Sequence, residues 1–155
     1  MTRVHARLAE LGIQPYPSGV RFRRGDKTEI TDLDASVVID GVLVAVDCFA
    51  APWRASLDDG DHATTRNRAE AIELKLRAWD LKWQEVVSAE SQLLTDEITH
   101  VLPVVVTPGP EWIRSADPDL WFTSGRPRIC TVTELRDQLR HLDVATTAAM
   151  ITRDR

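Results

Sequence analysis

The dipeptide Asp40-Gly41, which stands between two apolar runs, constrains this chain more than any other feature of its sequence. Aspartate and glycine both tolerate a positive φ, and such a pair is the strongest short-range signal for a two-residue hairpin turn. The stretch Glu29 to Ala50 therefore predicts two antiparallel strands that are joined at this turn. The rest of the chain is expected to be arranged around this hairpin.

On the first predicted strand, apolar and polar residues alternate, which gives one apolar face and one polar face. The apolar face is formed by Leu33, Ala35, Val37 and Ile39, and the polar face by Asp32, Asp34 and Ser36. The second strand, 42–49, is apolar on both faces, as a covered central strand would be, and Asp47 interrupts it near its end. Carboxylates from two neighbouring strands are what a hard cation such as Mg²⁺ needs.

The remaining segments predict an α/β protein with a mixed central sheet and helices on both faces. A long helix from Ala63 to Glu90 is indicated by apolar residues spaced four, three, four and three along its length. Its apolar stripe consists of Ile72, Leu76, Trp79, Trp83 and Val86, and Asp61 or Thr64 is expected to cap its start. The other expected elements are a helix at 2–11, strands at 20–24, 100–107 and 128–132, and a helix that Thr133 caps.

Length and composition restrict the class of protein. The 155 residues are expected to form one domain, 1–155, and the formal net charge of −5 argues against a strongly basic nucleic-acid module. The sequence has no zinc-ligand spacing, no signal peptide and no apolar run of the ~20 residues that a membrane span needs. These features predict a cytoplasmic protein, in which Cys48 and Cys130 are reduced, buried thiols.

The order of elements, with acids at the ends of the central hairpin, resembles the restriction-endonuclease-like, PD-(D/E)xK, superfamily. The resemblance rests on Glu29-Ile-Thr-Asp-Leu-Asp34, on the turn, and on Val44-Ala-Val-Asp47-Cys-Phe49. The later Val104-Val-Val-Thr-Pro108 and Thr133-Glu-Leu-Arg136 fit the remaining strand and helix of the same core. It covers roughly residues 2 to 142.

This resemblance implies that Asp34 and Asp47 are the two acids that hold Mg²⁺. The family's lysine, two residues after the second acid, is replaced by Phe49, and a phenyl ring offers neither charge nor a hydrogen-bond donor to a phosphate. The glutamate that the family often carries on its first helix has no counterpart in this chain. The resemblance therefore implies a degenerate, inactive or weakly metal-binding domain that serves as a binding or assembly module in DNA-related processes.

Two alternatives stay open. Some members of this fold supply the lysine from another element, so the chain is alternatively an active Mg²⁺-dependent DNA endonuclease with a relocated basic residue. Candidates for this residue are Lys75, Arg66 and Arg68 on the long helix and Lys27 before the hairpin. Arg54, Arg66 and Arg68 are also candidate DNA contacts, whose simpler interpretation is a solvated face. The other alternative is a homodimeric interaction protein. For Asp47, a cleft is favoured over a plain strand end because an aspartate within an apolar run is costly to bury without a partner.

Overall fold

A mixed central sheet is packed between helices in this chain. The computed structural model describes residues 3–10, 19–49, 55–89, 94–142 and 149–153. A 3₁₀ turn at Pro118–Leu120 precedes the last three elements. In chain order the elements are α1 (Arg3–Ala9), β1 (Arg21–Arg23), β2 (Glu29–Asp32), β3 (Ala35–Ile39), β4 (Val42–Cys48), α2 (Ala55–Asp58), α3 (His62–Ser88), β5 (His100–Val106), β6 (Ile129–Cys130), α4 (Val132–Leu139) and β7 (Ile151–Thr152).

The central sheet has the strand order β3-β4-β5-β6, and β7 pairs with β5 beyond this path. β3 runs antiparallel to β4, whereas β4, β5 and β6 are mutually parallel. β1 and β2 form a separate two-stranded sheet. The prediction of an α/β protein with a mixed sheet is confirmed. Among the described residues, no helix combines the length and the apolar character that crossing a membrane requires.

The predicted turn at Asp40-Gly41 is confirmed. Asp40 has a φ of 48° and Gly41 a φ of 78°, so both turn residues adopt the left-handed conformation. A Cβ atom on Gly41 would lie 3.1 Å from the Oγ1 of Thr99 and 3.2 Å from the carbonyl oxygen of Glu97. Glycine is therefore required here both for its φ and for the close approach of the chain that leads into β5.

β4 is covered on both faces, as its sequence predicts. Val44 and Val46 pack in the layer that contains residues of α1 and α4, whereas Leu43 and Ala45 pack against the tryptophans of α3. All five residues of the predicted α3 stripe are buried, and the Nε1 of Trp79 donates a 3.0 Å hydrogen bond to the carbonyl oxygen of Ala45. Asp61 caps α3, because its side chain accepts a 2.8 Å hydrogen bond from the N–H of Thr64.

The first predicted strand is interrupted. Residues Glu29–Asp32 pair with β1 in the separate sheet, and the chain bends at Asp34 before β3 begins. The bend resets the alternation, so Leu33 packs on the α3 side of the sheet while Ala35 packs on the other side. Ser36 is fully buried, because both faces of β3 are covered.

Two smaller predictions are wrong. α4 is capped by Thr131 and not by Thr133, because Thr131 and Glu134 form a reciprocal capping box directly after β6. Cys48 is exposed at the end of β4, although Cys130 is buried as expected.

Candidate functional site

Asp34 and Asp47 lie at the same end of the hairpin. Ala35 pairs with Val46, and Asp34 and Asp47 are the next residues on the two segments. Asp47 lies on the side of the sheet that α3 covers, since Ala45, two residues before it, packs against α3. Asp34 is exposed in the bend that directly precedes β3. The hairpin thus brings both residues to one end of the central sheet.

A lysine from α3 reaches this pair of acids. The Nζ of Lys75 lies 2.6 Å from the Oδ2 of Asp47, and the two side chains are 35% and 16% exposed. Lys75 precedes Leu76 of the buried stripe, so it lies at the margin of the helix face that packs on the sheet. Its Nζ is also 6.0 Å from the centre of the Phe49 ring. The ring at the expected lysine position therefore stands beside a lysine that comes from a different element.

The charged groups at this end of β4 also act on the thiol of Cys48. Loss of hydration at the end of β4, followed by the negative charges of Asp34 and Asp47, raises the pKa of Cys48 to about 11, and Lys75 acts in the opposite direction. One thiol therefore experiences both carboxylates and the ammonium group. This agrees with the register argument, which places Asp34 and Asp47 at the same end of the sheet.

The three predicted DNA-contacting arginines are in different situations. Arg66 is exposed and lies 4.0 Å from Glu70 on the next turn of α3. Arg68 is largely buried, and its Nε donates a 2.8 Å hydrogen bond to Glu111. Arg54 lies outside the described residues. Of the two that are described, only Arg66 presents its guanidinium to solvent.

Arg128 and Asp80 form a buried ion pair that was not predicted from the sequence. The Arg128 side chain is fully buried, and it donates to both carboxylate oxygens of Asp80. It also donates to the carbonyl oxygens of Pro103 at 3.1 Å and Asp119 at 2.7 Å. Burial raises the pKa of Asp80 to about 6, against the attraction of Arg128. This pair joins α3 to β5 and to the start of β6, and no local sequence pattern relates two residues that are 48 positions apart.

The acid pair can offer carboxylate oxygens to a cation, but it is a small site. Within the described ranges, no group of three or more His, Cys, Asp or Glu residues is arranged to hold a metal ion. Asp34 and Asp47 alone suit Mg²⁺, which is usually bound by one or two carboxylates and keeps several water molecules. They do not suit zinc, which needs three or four protein ligands.

Comparison with known proteins identifies no relative for this chain. No family model matches it, and no curated protein or solved structure is significantly similar to it. An interpretation of its function therefore depends on the contacts of its own residues. The contacts that carry most information are those of Asp34, Asp47 and Lys75 at the end of β4.

Proposed function

We propose that this chain is a metal-dependent phosphodiesterase of the restriction-endonuclease-like type that acts on DNA. In this proposal Asp34 and Asp47 hold a divalent cation, and Lys75 replaces the lysine that the family carries at the position of Phe49. The single observation that carries the proposal is the 2.6 Å contact between the Nζ of Lys75 and the Oδ2 of Asp47. It supplies, from α3, the positive charge that the sequence of β4 lacks.

The acids of the site fit Mg²⁺ in number and in placement. Asp47 lies near the end of β4, Asp34 lies in the bend directly before β3, and Asp34 is exposed to solvent. A cation bound there would lower the pKa of a coordinated water molecule and polarise a phosphoryl oxygen. Lys75 compensates the charge of Asp47 when no cation is present, so the site does not depend on metal for its folding.

Lys75 would act by electrostatic stabilisation. Its ammonium group has three hydrogen-bond donors, only some of which Asp47 can occupy, so others can turn toward a phosphate at the open end of the site. Charge that develops on the phosphate during attack by water is stabilised most by donors that are already in place. The Phe49 ring, packed beside Ile72 and Leu76, covers one side of the lysine and limits the water around it.

The test is incubation of the pure protein with single-stranded and duplex DNA in Mg²⁺ or Mn²⁺. Asp47→Asn and Lys75→Met are each expected to lower cleavage by about 10²–10³-fold, the usual cost of losing a group that stabilises transition-state charge. Lys82→Met, a lysine two turns further along α3 that lies over Trp79, is the matched control and should cleave like the wild type. Cleavage that survives Asp47→Asn would contradict the proposal.

A second candidate is the inactive form of the same domain, a binding or assembly module in DNA-related processes. Phe49 favours it, because an aromatic ring next to a hydrated cation is unfavourable, and Arg68 is already paired with Glu111. Absence of cleavage by the wild type, together with DNA binding that Arg66→Gln weakens, would support this candidate. Homodimer formation through the exposed Leu74 and Leu81 of α3 stays a prediction, for which sedimentation at two protein concentrations is the measurement.

A further inference from the structure

A concave site lies beyond the end of β4, where Cys48 and Phe49 both line it. It is a cavity of about 950 Å³ at the carboxyl ends of β4, β5 and β6, between α1 and the first turn of α4. Its walls include the apolar side chains of Val4, Val106 and Val132. Open α/β sheets bind ligands outside the carboxyl ends of their parallel strands, and ligand pockets measure roughly 300–1,000 Å³. Position and volume are therefore those of a small-molecule site.

The cavity has two arginines on its rim, one from each flanking helix. Arg7 of α1 is paired with Glu10 at 3.0 Å. Within the described part of the chain, the Nε of Arg136 on α4 has no hydrogen-bond partner, and a carboxylate oxygen of Asp137 lies 3.7 Å from it. Arg140 lies 4.0 Å from the same oxygen, so one carboxylate is shared between two guanidinium groups. An excess of positive charge therefore remains at Arg136.

The start of α4 adds further donors on the same side. The capping box uses the N–H of Glu134, while the N–H groups of Val132 and Thr133 at the first helical positions have no acceptor within the helix. The carboxylate of Glu134 accepts hydrogen bonds from the N–H and the hydroxyl of Thr131, so it is held within the capping box. Backbone donors and a guanidinium beside an apolar cavity favour an anion with an apolar body.

We propose that this cavity binds a nucleoside monophosphate. The phosphate would lie at Arg136 and the first turn of α4, where charge-assisted hydrogen bonds are strongest, and the base would lie against Val106 and Val132. The apolar walls favour a base over a sugar, because a bare sugar phosphate would leave its hydroxyl groups without partners there. The occupant is either a free nucleotide or the terminal nucleotide of a DNA strand. The inference adds to the proposed function and requires neither Asp47 nor Lys75.

The experiment measures binding of deoxyadenosine 5′-monophosphate by calorimetry in the presence of a chelator, so that no divalent cation takes part. We expect it to bind at least tenfold more tightly than inorganic phosphate or deoxyadenosine, because only the nucleotide fills both parts of the cavity. Arg136→Gln should weaken binding at least tenfold, and Thr133→Trp should block the cavity from an exposed position. Arg21→Gln, at an exposed arginine of β1 that does not line the cavity, is the control and should bind normally.

Alkylation of Cys48 gives an independent readout, because Cys48 lines the cavity while Cys130 is buried. Saturating nucleotide should slow the modification of Cys48 severalfold in the wild type and leave it unchanged in Arg136→Gln. A 5′-phosphorylated trinucleotide that binds more tightly than the free nucleotide identifies a strand end as the occupant, and the reverse order identifies a free nucleotide.

Three results would overturn the inference. These are binding of inorganic phosphate as tight as that of the nucleotide, unchanged nucleotide binding by Arg136→Gln, and loss of nucleotide binding in Asp47→Asn, which would place the ligand on the α3 face. Nucleotide binding that persists in Asp47→Asn and Lys75→Met supports the inference even if DNA cleavage is never detected. Failure of the cavity and failure of the proposed nuclease activity are therefore distinguishable.

Discussion

The Nζ of Lys75 lies 2.6 Å from the Oδ2 of Asp47, and this contact joins α3 to the end of β4. Both side chains are partly buried. Their contribution to the free energy of unfolding is therefore expected to exceed that of a surface ion pair and to be smaller than the cost of breaking a fully buried one. The contact connects the two acids of the hairpin to the helix that packs on them.

This contact predicts how divalent cations affect stability. Lys75→Met should lower the free energy of unfolding by about 1 kcal/mol in chelator, because it leaves the Asp47 carboxylate without its counter-charge. Millimolar Mg²⁺ should then raise the melting temperature of Lys75→Met more than that of the wild type, since a bound ligand stabilises the folded state. Thermal unfolding of both variants with and without Mg²⁺ is the measurement. An equal response in the double variant Asp47→Asn/Lys75→Met would exclude Asp47 as a ligand.

The hairpin turn predicts a position-specific cost. Gly41→Ala should lower the free energy of unfolding by about 1–2 kcal/mol, because alanine is strained at positive φ and its Cβ would press on Thr99 and Glu97. Asp40→Asn, also at positive φ, should change stability by less than about 0.5 kcal/mol, because asparagine suits the same turn. Urea unfolding of the two variants measures the difference. Similar stability for both would argue against this turn geometry.

The pair Arg128–Asp80 predicts a large effect of a single substitution and a small one of a double substitution. Arg128→Met should cost about 3–5 kcal/mol, because it leaves the Asp80 carboxylate and two carbonyl oxygens without their donor. The double variant Arg128→Met/Asp80→Leu should recover most of this loss, since an apolar pair of similar size needs no desolvation of charge. Chemical unfolding of the wild type, of Arg128→Met, of Asp80→Leu and of the double variant completes the cycle. Full additivity of the two substitutions would show that the residues do not interact.

The pH dependence of stability follows from the pKa of Asp80. Burial raises this pKa to about 6 from an ordinary value near 4, so the folded protein holds the proton more tightly than the unfolded chain. The contribution of Asp80 to stability is therefore fully present below about pH 4 and is lost as the pH rises to about 6. Asp80→Asn should remove this decline, which can be measured by urea unfolding at several pH values.

Asp117→Asn is the contrasting variant for that experiment. Its hydrogen bond from Arg77 lowers the pKa of Asp117, so its contribution has the opposite sign and disappears only as the pH falls below about 4. The profile of Asp117→Asn should therefore resemble that of the wild type between pH 4 and 6. A wild-type profile without any decline in this range would contradict the assignment to Asp80.

Much of the fold was predictable because local chemistry specifies it. The turn at Asp40-Gly41, the cap at Asp61 and the α3 stripe follow from short-range rules and agree with the structure. The break at Asp34 was not predictable in the same way, because two short strands in different sheets show the same alternation as one long strand. The two-residue strand β7 is too short to show any period, and its pairing with β5 depends on tertiary contacts.

The site was predictable in its acids but not in its surroundings. Hairpin register follows from turn length, so the turn alone predicts the pairing of Ala35 with Val46, which brings Asp34 and Asp47 to the same end of the hairpin. Lys75 was one of several basic candidates, and only the packing of α3 on the sheet selects it. Arg128 and Asp80 are far apart in the sequence, and neither stands in a pattern that reveals burial. The cavity beside Arg136 is formed by four separate segments, which no local pattern relates to one another.

Lys75 and Asp80 lie only five residues apart on the same continuous helix, about 7.5 Å along its axis. Arg128 therefore holds α3 in place at Asp80, and the same helix contacts Asp47 through Lys75. A substitution that weakens the Arg128–Asp80 pair would shift Lys75 relative to the carboxylates, although it changes neither Lys75 nor the two acids. The geometry at the end of β4 can thus be adjusted by substituting residues that lie far from the acids and only fix the position of this helix.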